Sequence, residues 1–262
     1  MSKYKIAFAG AGRVAGALSR AFHNAGSDII FIVSRTEKNA RILAENYNAL
    51  WSMDPVFPED ADIIILAVPD REISDLLSLI KPGENTVVVH TAGSVGLDVF
   101  PPHIRQNGVL YPLQTFSHGR EVTFAGLPFF IEANCPSAEK VISGLAASIG
   151  AEIHFADTRV RRVLHLAAVF SCNFTNYMLT AGKRVLQEAN QDFMVLEPLI
   201  RETVAKALET GPEKSQTGPA IRSDTNTIKQ HIALLSFSPD LQHIYREVTE
   251  SIMKYYKSIA ND

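Results

Sequence analysis

A short glycine-rich loop near the start of the chain constrains the fold more than any other feature of the sequence. Gly10-Ala11-Gly12 directly follows the apolar run Lys5–Ala9 and directly precedes the helix-like segment Arg13–Ala25. In a strand–loop–helix unit, the first glycine permits a tight turn and the second lets the backbone approach a bound group. The small Ala15 then lets the helix pack closely on the strand. The sequence therefore predicts a strand, a tight loop and a helix at this point.

The same loop predicts a phosphate site. The first turn of a helix carries free N–H groups and a partial positive charge, and both favour an anion. We therefore expect the pyrophosphate of a dinucleotide here. The expected cofactor contacts come from Gly10, Ala11, Gly12, Arg13 and Val14. The alternative is a glycine turn with a purely structural role.

The end of the second predicted strand indicates which dinucleotide is bound. NAD sites usually place Asp or Glu at this point, where it binds the ribose hydroxyls, but this chain reads Ser34-Arg35-Thr36. Ser34 and Thr36 can form hydrogen bonds to the ribose, and Arg35 can pair with a 2′-phosphate. The sequence therefore favours NADP over NAD. Two alternatives remain: Arg35 is an ordinary surface charge, or Glu37 supplies the acid of an NAD site.

Strand-like and helix-like segments alternate through residue 155. This spacing is typical of right-handed βαβ units and of a doubly wound parallel sheet. The predicted strands are Lys5–Ala9, Ile29–Val33, Ile63–Val68, Thr86–His90, Val109–Tyr111, Phe129–Glu132 and Glu152–Phe155, and the predicted helices are Arg13–Ala25, Glu37–Tyr47, Asp70–Leu79 and Ser137–Ser148.

The alternation stops after Asp157, and the rest of the chain reads as helices. Asp157 or Thr158 is expected to cap the first of them. The predicted helices are Arg159–Ala189, Met194–Glu209, Thr225–Leu235 and Pro239–Ile259. We therefore expect a dinucleotide-binding Rossmann domain over residues 1–155 and an all-α domain over residues 156–262.

Composition excludes several classes of protein. The chain has 262 residues, 46% hydrophobic and 20% charged, with a net charge of −3, which indicates a globular protein without a basic surface for nucleic acid or anionic lipid. No apolar run approaches the about 20 residues of a membrane span, and no signal peptide is apparent, so we expect a cytoplasmic protein.

Cys135 and Cys172 have neither disulfide-framework nor zinc-ligand spacing. We expect both to be free and buried, and we expect no metal site.

Polar residues that follow the predicted strands are candidates to contact ligands, because ligands of doubly wound sheets bind beyond the carboxyl ends of the strands. Val68-Pro69 follows one strand, and His90 ends the next. Gln114 or Thr115, after the strand that contains Tyr111, would add polar contacts to the same pocket. For His90, a strand-end residue bonded to the backbone is the alternative.

Polar side chains also recur along the first long helix of the C-terminal half. At 100° per residue, His165, Cys172, Asn176 and Lys183 share one stripe, and Asn173 reaches the same cleft. We expect His165 to act as general acid or base, Asn173 to position the substrate and Asn176 to contact it. The alternative is that these groups pair across a helix or dimer interface.

The loop Gly218–Asp224 contributes one further candidate. Arg222 could bind a substrate carboxylate in bidentate fashion. The alternative is an ion pair between Arg222 and Asp224 that holds the loop.

Several motifs resemble those of known families. "GAGRVA" (Gly10–Ala15), "SRT" (Ser34–Thr36) and "LAVPD" (Leu66–Asp70) resemble the NADP-binding domains of pyrroline-5-carboxylate reductase, the 6-phosphogluconate and β-hydroxyacid dehydrogenases and the deazaflavin-dependent NADP oxidoreductases. With "HTAGS" (His90–Ser94), "YPLQTFS" (Tyr111–Ser117) and "GPAIRSD" (Gly218–Asp224), the chain resembles Rossmann-like proteins with a C-terminal domain of unknown function 2520.

This resemblance implies a Rossmann domain followed by an all-α domain of 6-phosphogluconate-dehydrogenase-like type, with homodimerisation through the helices. It also implies that Val68, Pro69, Thr91, Gly93 and Ser94 contact the nicotinamide half of the cofactor. The Lys-x-x-x-Asn pair that such helical domains often carry is absent, which disfavours a true hydroxyacid dehydrogenase.

Together these features predict an NADP-dependent oxidoreductase. It would transfer a hydride between NADP(H) and a small polar carbonyl or imine substrate bound between the two domains. One alternative is a non-catalytic NADP-binding sensor or assembly protein with a vestigial site. Another is a deazaflavin-dependent reductase, which shares the N-terminal half but not the helical C-terminal half.

Overall fold

The computed structural model describes residues 4–117 and 119–259. The chain divides into two compact units, Met1–Cys172 and Asn173–Asp262, called below the N-terminal unit and the C-terminal unit. The first helix after Asp157 lies in the N-terminal unit, whereas the sequence assigns it to the helical domain. These units are defined by contacts between residues, which do not show where the cofactor-binding part of the chain ends. The functional boundary between residues 155 and 156 therefore stays a prediction.

The N-terminal unit contains a single eight-stranded sheet with helices on it. Its strands are β1 Lys5–Ala9, β2 Asp28–Val33, β3 Leu50–Ser52, β4 Ile63–Leu66, β5 Val87–His90, β6 Asn107–Pro112, β7 Pro128–Ala133 and β8 Glu152–Phe155. Its α-helices are α1 Arg13–Asn24, α2 Glu37–Glu45, α3 Asp70–Leu79, α4 Pro136–Ser148 and α5 Thr158–Ala168, with a 3₁₀ turn at Leu97–Val99.

The strand order is β3-β2-β1-β4-β5-β6-β7-β8. Every neighbouring pair is parallel except β6 and β7, which run antiparallel. The direction of winding reverses between β1 and β4, and the glycine-rich loop follows β1 at that point. Ligands bind at such a switch point in doubly wound sheets, so the predicted fold class is confirmed and the loop lies where a ligand site is expected.

Both faces of the central strands are covered, which explains why these strands read as continuous apolar runs. Alternate residues of a strand point to opposite faces. Phe8 packs in the cluster that contains Leu18 of α1, whereas Ala7 packs in the cluster that contains Ile73 of α3. All four residues of β4 are buried. This rigid centre positions the loops at the carboxyl ends of β1, β4 and β5.

The C-terminal unit is helical. It contains α6 Thr175–Glu188, α7 Glu197–Thr210, α8 Pro212–Ser215, α9 Thr225–Leu234 and α10 Pro239–Ile259, with 3₁₀ turns at Phe193–Leu196 and Leu235–Phe237. Few of its described residues are buried, while Leu199, Leu208 and Leu234 are 64%, 84% and 72% exposed. A single copy therefore leaves much of the apolar surface of these helices in water.

Several elements differ from the sequence prediction, among them the short helix α8, which lies where no helix was predicted. The predicted helix Arg159–Ala189 is interrupted by the π-helical segment Val169–Phe174, between α5 and α6. Constant rotation of 100° per residue does not hold through a π turn, so the single stripe proposed from His165 to Lys183 is wrong. The short edge strand β3 lies in a region where no strand was predicted.

The cysteine prediction is half right. Both cysteines are free, but Cys135 is partly exposed at the N-cap of α4 and Cys172 is exposed in the π-helical segment. The predicted burial is therefore wrong.

The described ranges 4–117 and 119–259 contain neither a membrane-spanning helix nor a metal-binding cluster. No helix there is long and apolar enough to cross a membrane. No group of three or more His, Cys, Asp and Glu side chains there could hold a metal ion.

Candidate functional site

The glycine-rich loop is held between the ends of two neighbouring strands. The Gly10 N–H donates to the Val33 carbonyl of β2 at 2.7 Å. Gly10 has φ +110°, and a Cβ there would lie 2.3 Å from the Ala67 carbonyl oxygen, just after β4. A left-handed φ and an approach this close both require glycine. The loop thus has one tight conformation at the switch point.

The helix that follows the loop offers its first turn to an anion. Gly12 is the N-cap of α1, where no side chain caps the N–H groups and no acidic residue lies in the first turn. A Cβ at Gly12 would meet no atom within 4 Å, so open space lies beside these N–H groups. Ala15 is fully buried beneath them. Uncapped N–H groups beside open space fit the pyrophosphate of a dinucleotide.

A cleft of about 500 Å³ extends from this loop along the sheet edge. The glycine loop, Ser34–Thr36, Val68 and Pro69 line it together. Apolar walls come from Met53, Pro55, Leu76 and Leu79. Sequence reasoning missed these four residues, because only the fold brings the segment after β3 beside α3. The cleft combines an anion-binding end with an apolar slot suited to a planar base.

Arg35 lies at the rim of this cleft, as expected for a 2′-phosphate contact. Its Nη2 donates to Glu72 Oε1 of α3 at 2.8 Å, and its side chain is 79% exposed, against 19% for Glu72. The Thr36 N–H donates to Ser34 Oγ at 3.3 Å. Sequence reasoning missed Glu72, since no local pattern links it to Arg35. A phosphate at Arg35 would compete with this carboxylate for the guanidinium group.

A second cluster of polar groups lies at the carboxyl ends of β4, β5 and β6. Tyr111 Oη and His165 Nδ1 are 3.2 Å apart. Ser94 Oγ donates to Asp70 Oδ2. A Cβ at Gly93 would lie 2.7 Å from the Tyr111 ring, so the loop backbone rests directly on that ring. The structure thus brings Ser94, Gly93 and His165 to one place, with Tyr111 and Asp70 as partners that sequence reasoning had not assigned.

Burial and a nearby negative charge both act on the pKa of the Tyr111 hydroxyl. Burial, and then the negative charge of Asp70, raise the pKa of Tyr111 above its ordinary value. The phenol therefore keeps its proton and can act as a hydrogen-bond donor to His165 Nδ1. His165 itself is exposed. One ring nitrogen of His165 is then held by Tyr111 and the other remains for a ligand.

Helix α5 fixes the loop after β5 through two adjacent arginines. Arg161 is fully buried; it bonds to Glu132 of β7, and its Nη2 donates to the Val95 carbonyl at 2.6 Å. Arg162 Nε donates to the Ser94 carbonyl at 2.8 Å. Asp157 caps this helix by accepting from the Val160 N–H at 2.7 Å, as predicted. The loop that carries Thr91, Gly93 and Ser94 is therefore held by hydrogen bonds from α5 to its backbone carbonyls.

His90 has a structural role at the end of β5. It is fully buried, it stacks on Phe100, and its Nδ1 accepts from the Ala92 N–H at 3.3 Å. Burial, and then the charge of Arg161, lower the pKa of His90 to about 4. The backbone-bonded interpretation is therefore confirmed. The neighbouring Thr91 Oγ1 donates to the Leu66 carbonyl at 3.3 Å.

The remaining predicted substrate contacts are not brought into this cluster by any contact of the described residues. Gln114 is exposed, and its Oε1 accepts from the Thr115 N–H at 2.8 Å. Asn173, Asn176 and Arg222 are exposed residues of the C-terminal unit.

The alternative role for Arg222, a direct ion pair with Asp224, is not found, although the charge of Arg222 helps, after the hydrogen bonds from Thr227, to lower the pKa of Asp224. Asp224 caps α9 by accepting from the N–H and Oγ1 of Thr227 at 3.1 and 2.7 Å. Its carboxylate is therefore engaged by the helix, and no Arg222–Asp224 ion pair forms within the described part of the chain.

Comparison with known proteins agrees with this geometry. A family model described as NADP oxidoreductase, coenzyme F420-dependent, matches residues 5–93. The model of a domain of unknown function, DUF2520, matches residues 127–252. None of the curated proteins matches the chain.

Three solved structures show the similarity at different ranges. A Bacteroides fragilis protein described as a candidate NADP oxidoreductase is 38% identical, with a TM-score of 0.91, over 96% of this chain and 98% of that one. A pyrroline-5-carboxylate reductase of Streptococcus pyogenes is 12% identical, with a TM-score of 0.60, over 96% and 99% of the two chains. The Plasmodium falciparum pyrroline carboxylate reductase, solved with NADP bound, is 13% identical, with a TM-score of 0.59, over 98% and 99%.

The last two similarities show the fold alone, whereas the first extends over the whole chain at an identity that shows the family. NADP, the cofactor predicted from Ser34-Arg35-Thr36, is thus confirmed as the cofactor of this family. The chain belongs to the family of Rossmann-fold NADP oxidoreductases that carry the C-terminal domain of unknown function DUF2520.

Proposed function

We propose that this protein is an enzyme that transfers a hydride between NADP(H) and a small polar carbonyl or imine substrate bound between its two domains. The observation that carries the proposal is the Tyr111–His165 pair, whose atoms are 3.2 Å apart. It provides an exposed acid–base group at the end of the sheet where the cofactor loop lies. A protein that only binds the cofactor does not need such a group.

The cofactor contacts divide into three groups. The N–H groups at Gly10–Val14 would hold the pyrophosphate, and Ser34–Thr36 would hold the ribose and its 2′-phosphate. Val68, Pro69, Thr91, Gly93 and Ser94 would line the nicotinamide. When bound, NADP(H) supplies or accepts the hydride. The residues of the chain orient the reactants and move the proton.

His165 moves the proton in this proposal. In the reducing direction it gives a proton to the carbonyl oxygen or imine nitrogen, and in the oxidising direction it takes that proton back. Tyr111 holds the imidazole through Nδ1 in both states, as donor to the neutral ring and as acceptor from the charged ring. Asn173 orients the substrate, and Asn176, Gln114 and Arg222 stay predicted substrate contacts.

A homodimer through the C-terminal helices is part of the proposal. Leu199 and Leu208 of α7 are nine positions apart and so lie on opposite sides of the helix at 100° per residue. Both are exposed, by 64% and 84%. A helix that is apolar on opposite sides is typical of a buried helix. A second copy of the chain would cover this surface.

The deciding experiment follows NADPH absorbance with a panel of small carbonyl and imine compounds. For any compound that is reduced, we expect His165→Asn to lower kcat by about 100-fold or more, the usual contribution of a general acid, with NADPH affinity unchanged. His243→Asn is the control, because His243 is an exposed histidine of α10. Turnover retained by His165→Asn would remove His165 from the mechanism. A panel without any turnover favours the sensor alternative.

A further inference from the structure

Arg162 carries a positive charge that is fixed in position but has no acidic partner. Its Nε donates to the Ser94 carbonyl at 2.8 Å, and the residue is exposed. Within residues 4–117 and 119–259, no carboxylate lies within 4 Å of its guanidinium group. The adjacent Arg161 is the contrast, since it is fully buried and paired with Glu132. Of these two arginines, Arg162 alone has both Nη groups without a hydrogen-bond partner among the described residues.

The position of this charge relates it to the proposed proton donor. Arg162 and His165 are three positions apart in α5, so their side chains lie on the same face of the helix. Arg162 contacts Ser94, while His165 contacts Tyr111, whose ring packs against Gly93. The guanidinium and the imidazole therefore flank the same two loop residues.

We propose that Arg162 binds a carboxylate attached to the reacting carbon, so that the substrate is a 2-oxo acid or a 2-imino acid. A planar guanidinium with free Nη groups matches a carboxylate in shape and charge. Asp70, the carboxylate of the cluster, accepts a hydrogen bond from Ser94 and, among the described residues, forms no ion pair with Arg162. This inference rests on the proposed hydride transfer, and it assigns to Arg162 the role that sequence reasoning gave to Arg222.

In reduction, C2 gains the two electrons and the hydrogen of the hydride from NADPH, and the C=O or C=N π bond breaks. The oxygen or nitrogen gains the proton from His165, which solvent then replaces. The products are NADP⁺ and a 2-hydroxy or 2-amino acid. The carboxylate held by Arg162 keeps its charge throughout.

The test compares oxamate, an unreactive analogue of a 2-oxo acid, with its uncharged counterpart oxamide. Calorimetric titrations use the full chain saturated with NADPH, and they are repeated without NADPH so that the result does not depend on cofactor binding. We expect oxamate to bind and oxamide to bind at least about 10-fold more weakly, because a hydrogen bond to a charged group contributes at least that factor.

Arg162→Gln should weaken oxamate binding by about 10- to 100-fold and leave oxamide unchanged. Arg159→Gln is the matched control, because it removes an equal charge from the exposed first turn of the same helix. Unchanged thermal unfolding of both variants shows that the chain is still folded. Equal binding of oxamate and oxamide, or equal effects of the two substitutions, would overturn the inference. Failure of NADPH itself to bind would instead count against the proposed function.

Discussion

The two glycines of the glycine-rich loop are under different steric constraints. At Gly10 the protein itself demands glycine, because φ is +110° and a Cβ would lie 2.3 Å from the Ala67 carbonyl oxygen. At Gly12 a Cβ would meet nothing within 4 Å. The predicted need for glycine at position 12 therefore rests on the approach of the ligand alone.

This difference predicts separable outcomes for two alanine substitutions. Gly10→Ala should lower the free energy of unfolding by more than about 1 kcal/mol, because strain and a steric clash add. Gly12→Ala should leave unfolding within about 0.5 kcal/mol of the parent yet weaken NADPH binding at least 10-fold or so, because the methyl group occupies the space of the pyrophosphate. Denaturant unfolding and fluorescence titration measure the two quantities. Equal NADPH affinity in Gly12→Ala and the parent would argue against this phosphate site.

Arg35 should decide between the two nicotinamide dinucleotides. Arg35→Gln should weaken NADPH binding by about 10- to 100-fold, since charge-assisted hydrogen bonds to a phosphate are lost, and leave NADH binding unchanged. Arg41→Gln is the control, because Arg41 is an exposed arginine of α2 that pairs with Glu45. Parallel titrations with both cofactors measure the preference. A parent protein that binds both equally would refute the role of Arg35.

At the scale of elements, the sequence predicts those helices and strands that have a recognisable local pattern of apolar residues. The runs in β1, β4 and β5 are recognisable because strands buried on both faces are apolar throughout. The antiparallel direction of β7 has no local signal, because direction depends on which neighbour a strand meets. The three-residue strand β3 is too short for any period to appear.

The residues of the candidate site likewise fall into those with a local sequence pattern and those that only the fold brings together. The glycine loop and Ser34-Arg35-Thr36 are each a contiguous stretch of the chain, so both were found from the sequence. By contrast, Tyr111 and His165 come from β6 and α5, and only the fold makes them neighbours. Glu72 and Glu132 were missed for the same reason.

The pair formed by the fully buried Arg161 and the partly exposed Glu132 joins α5 to β7 and, through Arg161, to the loop after β5. Arg161→Met should lower the free energy of unfolding by about 3 to 5 kcal/mol, because the Glu132 carboxylate loses its buried partner. The double variant Arg161→Met/Glu132→Leu should recover much of this loss, since no uncompensated charge remains. Arg20→Met, which breaks the exposed pair with Glu121, should cost about 1 kcal/mol or less. Equal losses of stability in Arg161→Met and Arg20→Met would contradict the idea that burial makes the Arg161 pair the more important one.

At the scale of the whole molecule, the exposed apolar helices of the C-terminal unit predict self-association. Leu208→Glu should convert a dimer into a monomer, because it would place a charge in the surface that a second copy covers. Val56→Glu, a change at a 73% exposed position of the N-terminal unit, should leave the dimer intact. Light scattering on eluted peaks measures both masses. A parent chain that elutes as a monomer at all concentrations would refute the dimer.

Stability should also depend on pH through His90. Its pKa is lowered to about 4 in the folded chain, from 6.5, by burial and then by Arg161, while the Gly96 backbone and then Asp70 act in the opposite sense. The unfolded state binds the extra proton, so stability is retained above about pH 6.5 and is lost as pH falls toward about 4. The gap between the two pKa values corresponds to about 3 kcal/mol.

Replacing the imidazole tests this dependence. His90→Asn keeps an acceptor for the Ala92 N–H but does not titrate, so its free energy of unfolding should fall less steeply between pH 6.5 and 4 than that of the parent. Unfolding by denaturant across this range measures the two slopes. Identical slopes would show that His90 is already solvated and free to titrate in the folded chain.

The π-helical segment Val169–Phe174 has a consequence for comparing this chain with its relatives. Its backbone bonds span five residues instead of four, so the segment holds one residue more than a regular helix of the same length. A relative can lose that residue and close the turn as an ordinary α-helix without shifting anything on either side. Sequence alignments of the family should therefore place a one-residue gap here, and an alignment forced through without it would assign wrong counterparts to Asn173 and Asn176.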